Sequence, residues 1–231
     1  MKKSSKALAA TLLASTIFSS AITPTFAEEA KIPAPEAPVM ADKPAGTGST
    51  SSVFQDVRMG TELFEAVDYL SGLFYGIEPH QFGVDQSIKR VDAALIAAKF
   101  LDLNGVDNSN PPKASFKDVP ARAVSAVSAL KAAGIMNGKS DTDFGSQLNI
   151  TRGEAAILFA RIYAALQADG EGYPAETSRK FTDVTGRYAE PVALLTELGV
   201  VKGISETKFG TSQPLTRGQF ALLLYRLDRA L

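Results

Sequence analysis

The chain of 231 residues contains no cysteine, no tryptophan and a single histidine, His80. Without thiols there is no disulfide framework, thiolate zinc site, iron–sulfur cluster or cysteine nucleophile, and one imidazole cannot build a multi-histidine metal centre. Oxygen ligands alone would have to hold any metal, and neither a metal nor a cofactor is expected. An excess of positive charge is missing too. The 24 Lys and Arg face 25 Asp and Glu, a formal net charge of -1, which argues against a general nucleic-acid surface because phosphate binding needs concentrated cations. Also lacking is an apolar run of the ~20 residues that a membrane span requires. What is present is apolar material, 45% of the chain, enough for a folded core.

The N-terminus reads as an export signal. Lys2, Lys3 and Lys6 precede an apolar stretch from Ala7 to Phe18, and Thr25-Phe26-Ala27 offers small residues where a signal peptidase reads. Residues 1–27 are therefore expected to be removed, leaving a secreted chain that starts at Glu28 with a net charge of about -4, since that segment holds three lysines and no acid. From 28 to 52 the composition turns to Pro, Ala, Gly and Ser, with Pro33, Pro35, Pro38 and Pro44, which reads as an extended linker.

The remainder repeats itself. Phe54-Gln55-Asp56-Val57 recurs as Phe116-Lys117-Asp118-Val119 and Phe181-Thr182-Asp183-Val184. Gly76, Gly138 and Gly203 each lie 22 residues after the opening Phe; Phe82, Phe144 and Phe209 lie 28 after it; Arg90, Arg152 and Arg217 lie 36 after it. Three copies are expected, at 53–113, 114–178 and 179–231. Copy one is irregular, with Ala66-Val67 two residues later than Ala126-Val127, so its first helix should be shifted or shortened.

Each copy reads as helix, loop, helix. In copy two Val124, Val127, Leu130 and Ala133 have helical spacing and Gly134 supplies a stop; copy three has Val192, Leu195, Leu198 and Gly199. The second helices open at Thr151-Arg152-Gly153-Glu154 and Thr216-Arg217-Gly218-Gln219, the spacing of a capping box, and run on apolar around much of their circumference. A unit of ~60 residues alone buries too little surface. The expected fold is all-α, with three helix-loop-helix repeats sharing one core in a pseudo-threefold arrangement, second helices central and first helices outside.

Most repeated residues have a structural explanation. The phenylalanines suit a core, and Asp56, Asp118 and Asp183 suit either helix caps or contacts in a groove. Gly76, Gly138 and Gly203 suit either a positive φ or close approach by a ligand. The arginines fit less easily, because a cation in the first turn of a helix meets the positive end of its dipole, at a cost of ~0.3–1 kcal/mol. A guanidinium beside free helix amides suits a carboxylate or phosphate, the alternative being a pair with an acid such as Asp118 or Asp183. If Arg152 waits for a ligand, Arg152→Gln should leave the free protein as stable as before or slightly more so.

Phe-x-Asp-Val, the turns Gly134 to Gly138 and Gly199 to Gly203, the following Phe and Ile150-Thr151-Arg152-Gly153-Glu154 resemble S-layer homology repeats, and the resemblance covers residues 53–231. It implies a spindle-like, three-repeat helical domain without catalytic residues that holds exported proteins noncovalently in the cell wall or S-layer of Gram-positive bacteria. The implied ligand is secondary cell-wall polysaccharide bearing a pyruvyl ketal. By that resemblance Arg152 and Arg217 meet the ketal carboxylate, with Gly138, Gly203, Asp118 and Asp183 nearby. Copy one supplies Arg90, Gly76 and Asp56 but has Lys89 and Asp92 where the others have Thr and Glu or Gln, so Arg90 is expected to contribute less. A surface-layer assembly component with an S-layer or wall-associated protein partner is the alternative, and an enzyme acting on wall glycan is the weaker one.

Overall fold

Glycine, threonine and apolar periodicity set the helix limits much as the sequence suggests. The computed structural model describes residues 54–103, 115–167 and 180–231. The expected signal peptide 1–27 and linker 28–52, and the junctions between the copies, lie outside the described residues. Within them are six α-helices: α1 (Glu62–Tyr69), α2 (Arg90–Phe100), α3 (Val124–Ala132), α4 (Arg152–Leu166), α5 (Ala189–Glu197) and α6 (Arg217–Ala230). No strand is present among the described residues, only isolated bridges. Both capping boxes form: Thr151 and Glu154 bond each other's backbone amides at the start of α4, and Thr216 and Gln219 do so at α6. The stops are Gly134 (φ 69) and Gly199 (φ 70), and Gly72 (φ 92) occupies the same place in copy one.

Copy one's first helix is indeed altered. Turns of 3-10 helix at Ala121–Ala123 and Gly186–Tyr188 lead into α3 and α5, whereas α1 starts directly from Thr61, whose side chain accepts from the Phe64 amide.

The helices pair between copies. α2 packs on α3, α4 on α5, and α6 returns to α1, so each second helix leans on the first helix of the next copy and the series closes from copy three to copy one. A backbone ring repeats that cycle at the centre. The amide of Ile88 donates to Leu215 (3.0 Å), Leu215 to Ile150 (2.9 Å) and Ile150 to Ile88 (3.1 Å), all three residues being buried. The second helices carry much of the core, as Ala93, Ala94, Ala97 and Ala98 are buried in α2 and Phe159 of α4 meets Phe220 of α6 at 5.0 Å.

Side-chain volumes match around the ring. The residue after each arginine meets the residue two after the Phe of the next copy: Val91 follows the backbone of Ser146, Gly153 that of Thr211 and Gly218 that of Val84. A Cβ at Gly153 would lie 2.6 Å from Thr211 Cγ2, and one at Gly218 2.8 Å from Val84 Cγ1. The large residue therefore sits against serine, and glycine against the β-branched residues, which keeps local density without overlap.

Candidate functional site

Each aspartate of Phe-x-Asp-Val reaches back to its own copy's Phe-Gly turn. Asp56 accepts from the amides of Phe82 (2.8 Å), Gly83 (2.7 Å) and Val84 (3.0 Å), and Asp183 from Phe209, Gly210 and Thr211 at 2.8, 2.7 and 3.1 Å. Asp118 takes Phe144 and Ser146, while Gly145 turns to Asp143. The helix-cap alternative is thereby corrected. α3 and α5 start behind a 3-10 turn with no side-chain cap, and the carboxylates satisfy the amides of a turn whose glycine has φ of 77 to 81.

Those amides set the titration. Burial, the largest single influence on Asp118, would raise its pKa, but the Ser146 and Phe144 bonds together outweigh it and hold the group at about 2. Asp56 and Asp183 are lowered by the same balance. With a folded pKa below the unfolded ~3.9, the stabilisation is fully present above about pH 4 and is lost as pH falls through about 2. Urea midpoints measured at pH 7, 4 and 2 should therefore fall less steeply on the acid side for Asp118→Asn than for the wild type, and Asp118→Asn should be the less stable protein at pH 7.

The glycines are required for a reason other than positive φ. A methyl group at Gly138 would overlap the edge of the Phe116 ring and the Ser140 carbonyl oxygen; Gly203 stands likewise against Phe181 and Ser205, and Gly76 against Phe54 and Glu78. These glycines seat the opening Phe of their own copy.

The arginines cross to the next copy. Arg90 Nε donates to the Phe144 carbonyl (2.9 Å) and Nη2 to Asn137 (2.7 Å). Arg152 does the same to Phe209 and Lys202, both at 2.9 Å, and Arg217 to Phe82 (3.0 Å) and Tyr75 (2.6 Å). Each guanidinium also lies over the corresponding Phe ring, at 4.8 to 5.2 Å from the centroid. Arg90 and Arg152 are buried, and Arg217 is the most accessible of the three. Burial pushes all three pKa values down, but a guanidinium stays charged. The expectation of an arginine that merely waits for a ligand is corrected: two of its five donors hold the ring together. Among the described residues no hydrogen bond takes the remaining donors of Arg152 and Arg217, and Nη1 of Arg90 stands 3.6 Å from Glu154.

This crossing divides the linear motif between grooves. Arg90 lines a cavity of about 270 Å³ with Gly138 and Lys139 of copy two, Glu154 and Arg161 of α4, and Arg187 of copy three. Arg217 lines the equivalent cavity, about 400 Å³, with Tyr75, Gly76, Asp92, Lys99 and Arg122. Glu154 thus serves the Arg90 groove and pairs with Lys139, whereas Asp92, the short acid of copy one, serves the Arg217 groove and pairs with Arg122 at 2.9 Å. Arg152 shares its groove with Lys202, whose carbonyl it meets, and Arg226, which stands in α6 where Arg161 stands in α4, is tied to Glu62 by bonds of 2.7 and 2.5 Å.

The cations that surround the arginines were not singled out from the sequence, although a signal exists. Lys99, Arg161 and Arg226 stand at one repeat position, nine residues after Arg90, Arg152 and Arg217, and Arg122 and Arg187 stand at another.

Residues 115–156 and 180–221 match the S-layer homology domain family. The chain carries S-layer homology domains. It is 28% identical over 181 residues to the S-layer protein of Bacillus licheniformis, covering 76% of this chain and 20% of that protein. It is 29% identical over 132 residues to the Surface-layer 125 kDa protein of Lysinibacillus sphaericus, 57% of this chain and 10% of the relative. A Cellulosome-anchoring protein of Acetivibrio thermocellus is 29% identical over 125 residues, 52% of this chain and 28% of that protein. The chain therefore spans less than a third of the length of these relatives. Copy one lies outside the two stretches matched as S-layer homology domains, yet Asp56, Gly76 and the Phe82-Gly83 turn reproduce their construction and receive Arg217.

Proposed function

We propose that this protein is exported and held noncovalently on the cell wall by its three grooves, which bind acidic groups of secondary cell-wall polysaccharide, a pyruvyl ketal fitting best. The observation that carries this is the cavity at Arg90, where four cations, Arg90, Lys139, Arg161 and Arg187, surround one acid, Glu154. A folded protein with net negative charge gathers cations only at a cost in repulsion, which an anionic ligand relieves. Carboxylate binding to a pre-oriented guanidinium is strong and directional, and several grooves on one chain would give retention by multivalency on a polymer. The names of the relatives, two surface-layer proteins and one cellulosome-anchoring protein, support a role at the cell surface.

The ranking of the grooves follows the split motif. Arg90, set back in the sequence expectation because of Lys89 and Asp92, takes its acid from copy two. We assign the strongest attraction for a compact anion to the Arg90 groove and the weakest to the Arg152 groove, since Arg226, the counterpart of Arg161 in the repeat, is neutralised by Glu62.

The test is a pulldown of the mature protein on purified walls with and without the acidic ketal. Retention should be lost on ketal-free walls and should weaken in high salt, which screens exposed charge within ~3 Å at 1 M. Lys139→Ala with Arg187→Ala should reduce retention several-fold without unfolding the protein, because both side chains are outside the ring of carbonyl bonds. Equal binding to ketal-free walls would sink the proposed chemistry.

A further inference from the structure

We infer that Tyr75 is a specificity-determining residue of the Arg217 groove, its ring facing the apolar side of a bound acidic pyranose whose carboxylate faces Arg217, Lys99 and Arg122. The inference rests on the anchoring function proposed above and specifies which ligand feature one groove reads. It begins with a position the repeat keeps in place but varies in chemistry. Tyr75, Asn137 and Lys202 each precede the crowded glycine, and each gives its backbone carbonyl to the arginine that crosses from the preceding copy. The side chain at this position is rooted one residue's breadth from the guanidinium in every groove. Only here is it aromatic.

Tyr75 has no role in the core, being 73% exposed, and Ile77 beside it on the same loop is 36% exposed. An apolar rim of this kind next to a charged floor suits a ligand that is itself part apolar and part anionic. The floor carries three cations, Arg217, Lys99 and Arg122, against the single acid Asp92. Lys99 Nζ lies 5.0 Å from the Tyr75 ring centroid and donates to its hydroxyl at 3.3 Å, a contact at the tip of a side chain that is 73% exposed. Pyranose C–H groups carry small positive partial charges and match the electron-rich face of an aromatic ring. The cavity of about 400 Å³ lies within the ~300–1,000 Å³ of small-ligand sites. The Arg90 groove has Asn137 at this position and a smaller cavity, so it meets the anion without a stacking surface.

The experiment is an NMR titration of the mature, full-length protein with three probes of equal charge: an N-acetylated hexosamine bearing a ketal pyruvate, a uronic acid and free pyruvate. Variants are Tyr75→Ala and Tyr75→Phe, and the unfolding midpoint of each is measured. The wild type should bind both acidic sugars at Arg217 with shifts of the Tyr75 ring protons. Tyr75→Ala should weaken them about three- to tenfold, the range a ring contact supplies, with pyruvate affinity and midpoint unchanged, and Tyr75→Phe should bind as the wild type does. A preference of the wild type for one sugar identifies the acid; equal binding means that the groove reads any acidic pyranose. Equal losses for pyruvate and sugars in Tyr75→Ala would overturn the inference, as would a loss in Tyr75→Phe or a wild type that binds walls but neither sugar. A wild type that binds neither walls nor sugars would overturn the anchoring proposal as well.

Discussion

Arg152→Gln is expected to lower the unfolding free energy by about 2–4 kcal/mol. Arg152 is 9% exposed, and its guanidinium donates to the carbonyls of Phe209 and Lys202 at 2.9 Å, joining copy two to copy three. Hydrogen bonds from a charged donor contribute ~1.5–3 kcal/mol each, and a buried carbonyl left without its donor adds a desolvation cost. Glutamine is shorter and has one carboxamide in place of a fork, so it can serve at most one of the two carbonyls. Removing a cation from the helix start returns only ~0.3–1 kcal/mol. The sum has the opposite sign to that expected for an arginine with no structural partner. Urea unfolding of the ligand-free protein decides it: a drop in midpoint supports the crossing arginine, and an unchanged or raised midpoint means that the carbonyl bonds contribute nothing. Arg217→Gln should cost less, because Arg217 is more exposed and water can replace what is lost.

The ligand role proposed above is compatible with this change of sign. Using Nε and one Nη2 hydrogen on carbonyls fixes the plane of the guanidinium, so the free edge is already oriented before any carboxylate arrives, and less side-chain entropy remains to be lost. In the same way the aspartates and glycines named from the sequence prepare the groove from behind. Asp118 and Asp183 hold the turn whose carbonyl takes the arginine, and Gly138 and Gly203 seat the phenylalanine against which that turn is built.

Local features were legible in the sequence because their causes are local. Thr151 with Glu154 announces a helix start, Gly134 and Gly199 announce helix ends, and the period of Phe54, Phe116 and Phe181 announces three related units. What could not be read was the partner of each arginine. A residue repeated in register looks the same whether it contacts its own copy or the next one, and the contacts of Arg217 lie 135 and 142 residues away. The one sequence trace of the crossing is the inverse size relation between Val91, Gly153 and Gly218 and the residues they meet, Ser146, Thr211 and Val84. It makes sense only once the copies are offset by one.

Removal of copy three, by ending the chain at residue 179, should abolish cooperative folding of the other two copies. Size alone does not predict this, since the roughly 125 residues left after the linker are within the range of independent domains. Nor does a linear repeat array, in which the loss of a terminal unit removes one interface and leaves the rest standing. Here the cycle of helix pairs means that the truncation takes α5 from α4 and α6 from α1 together, two of three interfaces. It also removes both carbonyl partners of Arg152, the Leu215 acceptor of Ile88 and the Phe220 ring against Phe159. α4, apolar around most of its surface, would then expose its core side to water. The truncated chain is expected to show little amide dispersion by NMR and a broad urea transition, and addition of a separate peptide of residues 180–231 should restore a sharp one. If the truncated chain alone keeps a cooperative transition near the wild-type midpoint, the copies stand independently and the closed ring is not what stabilises them.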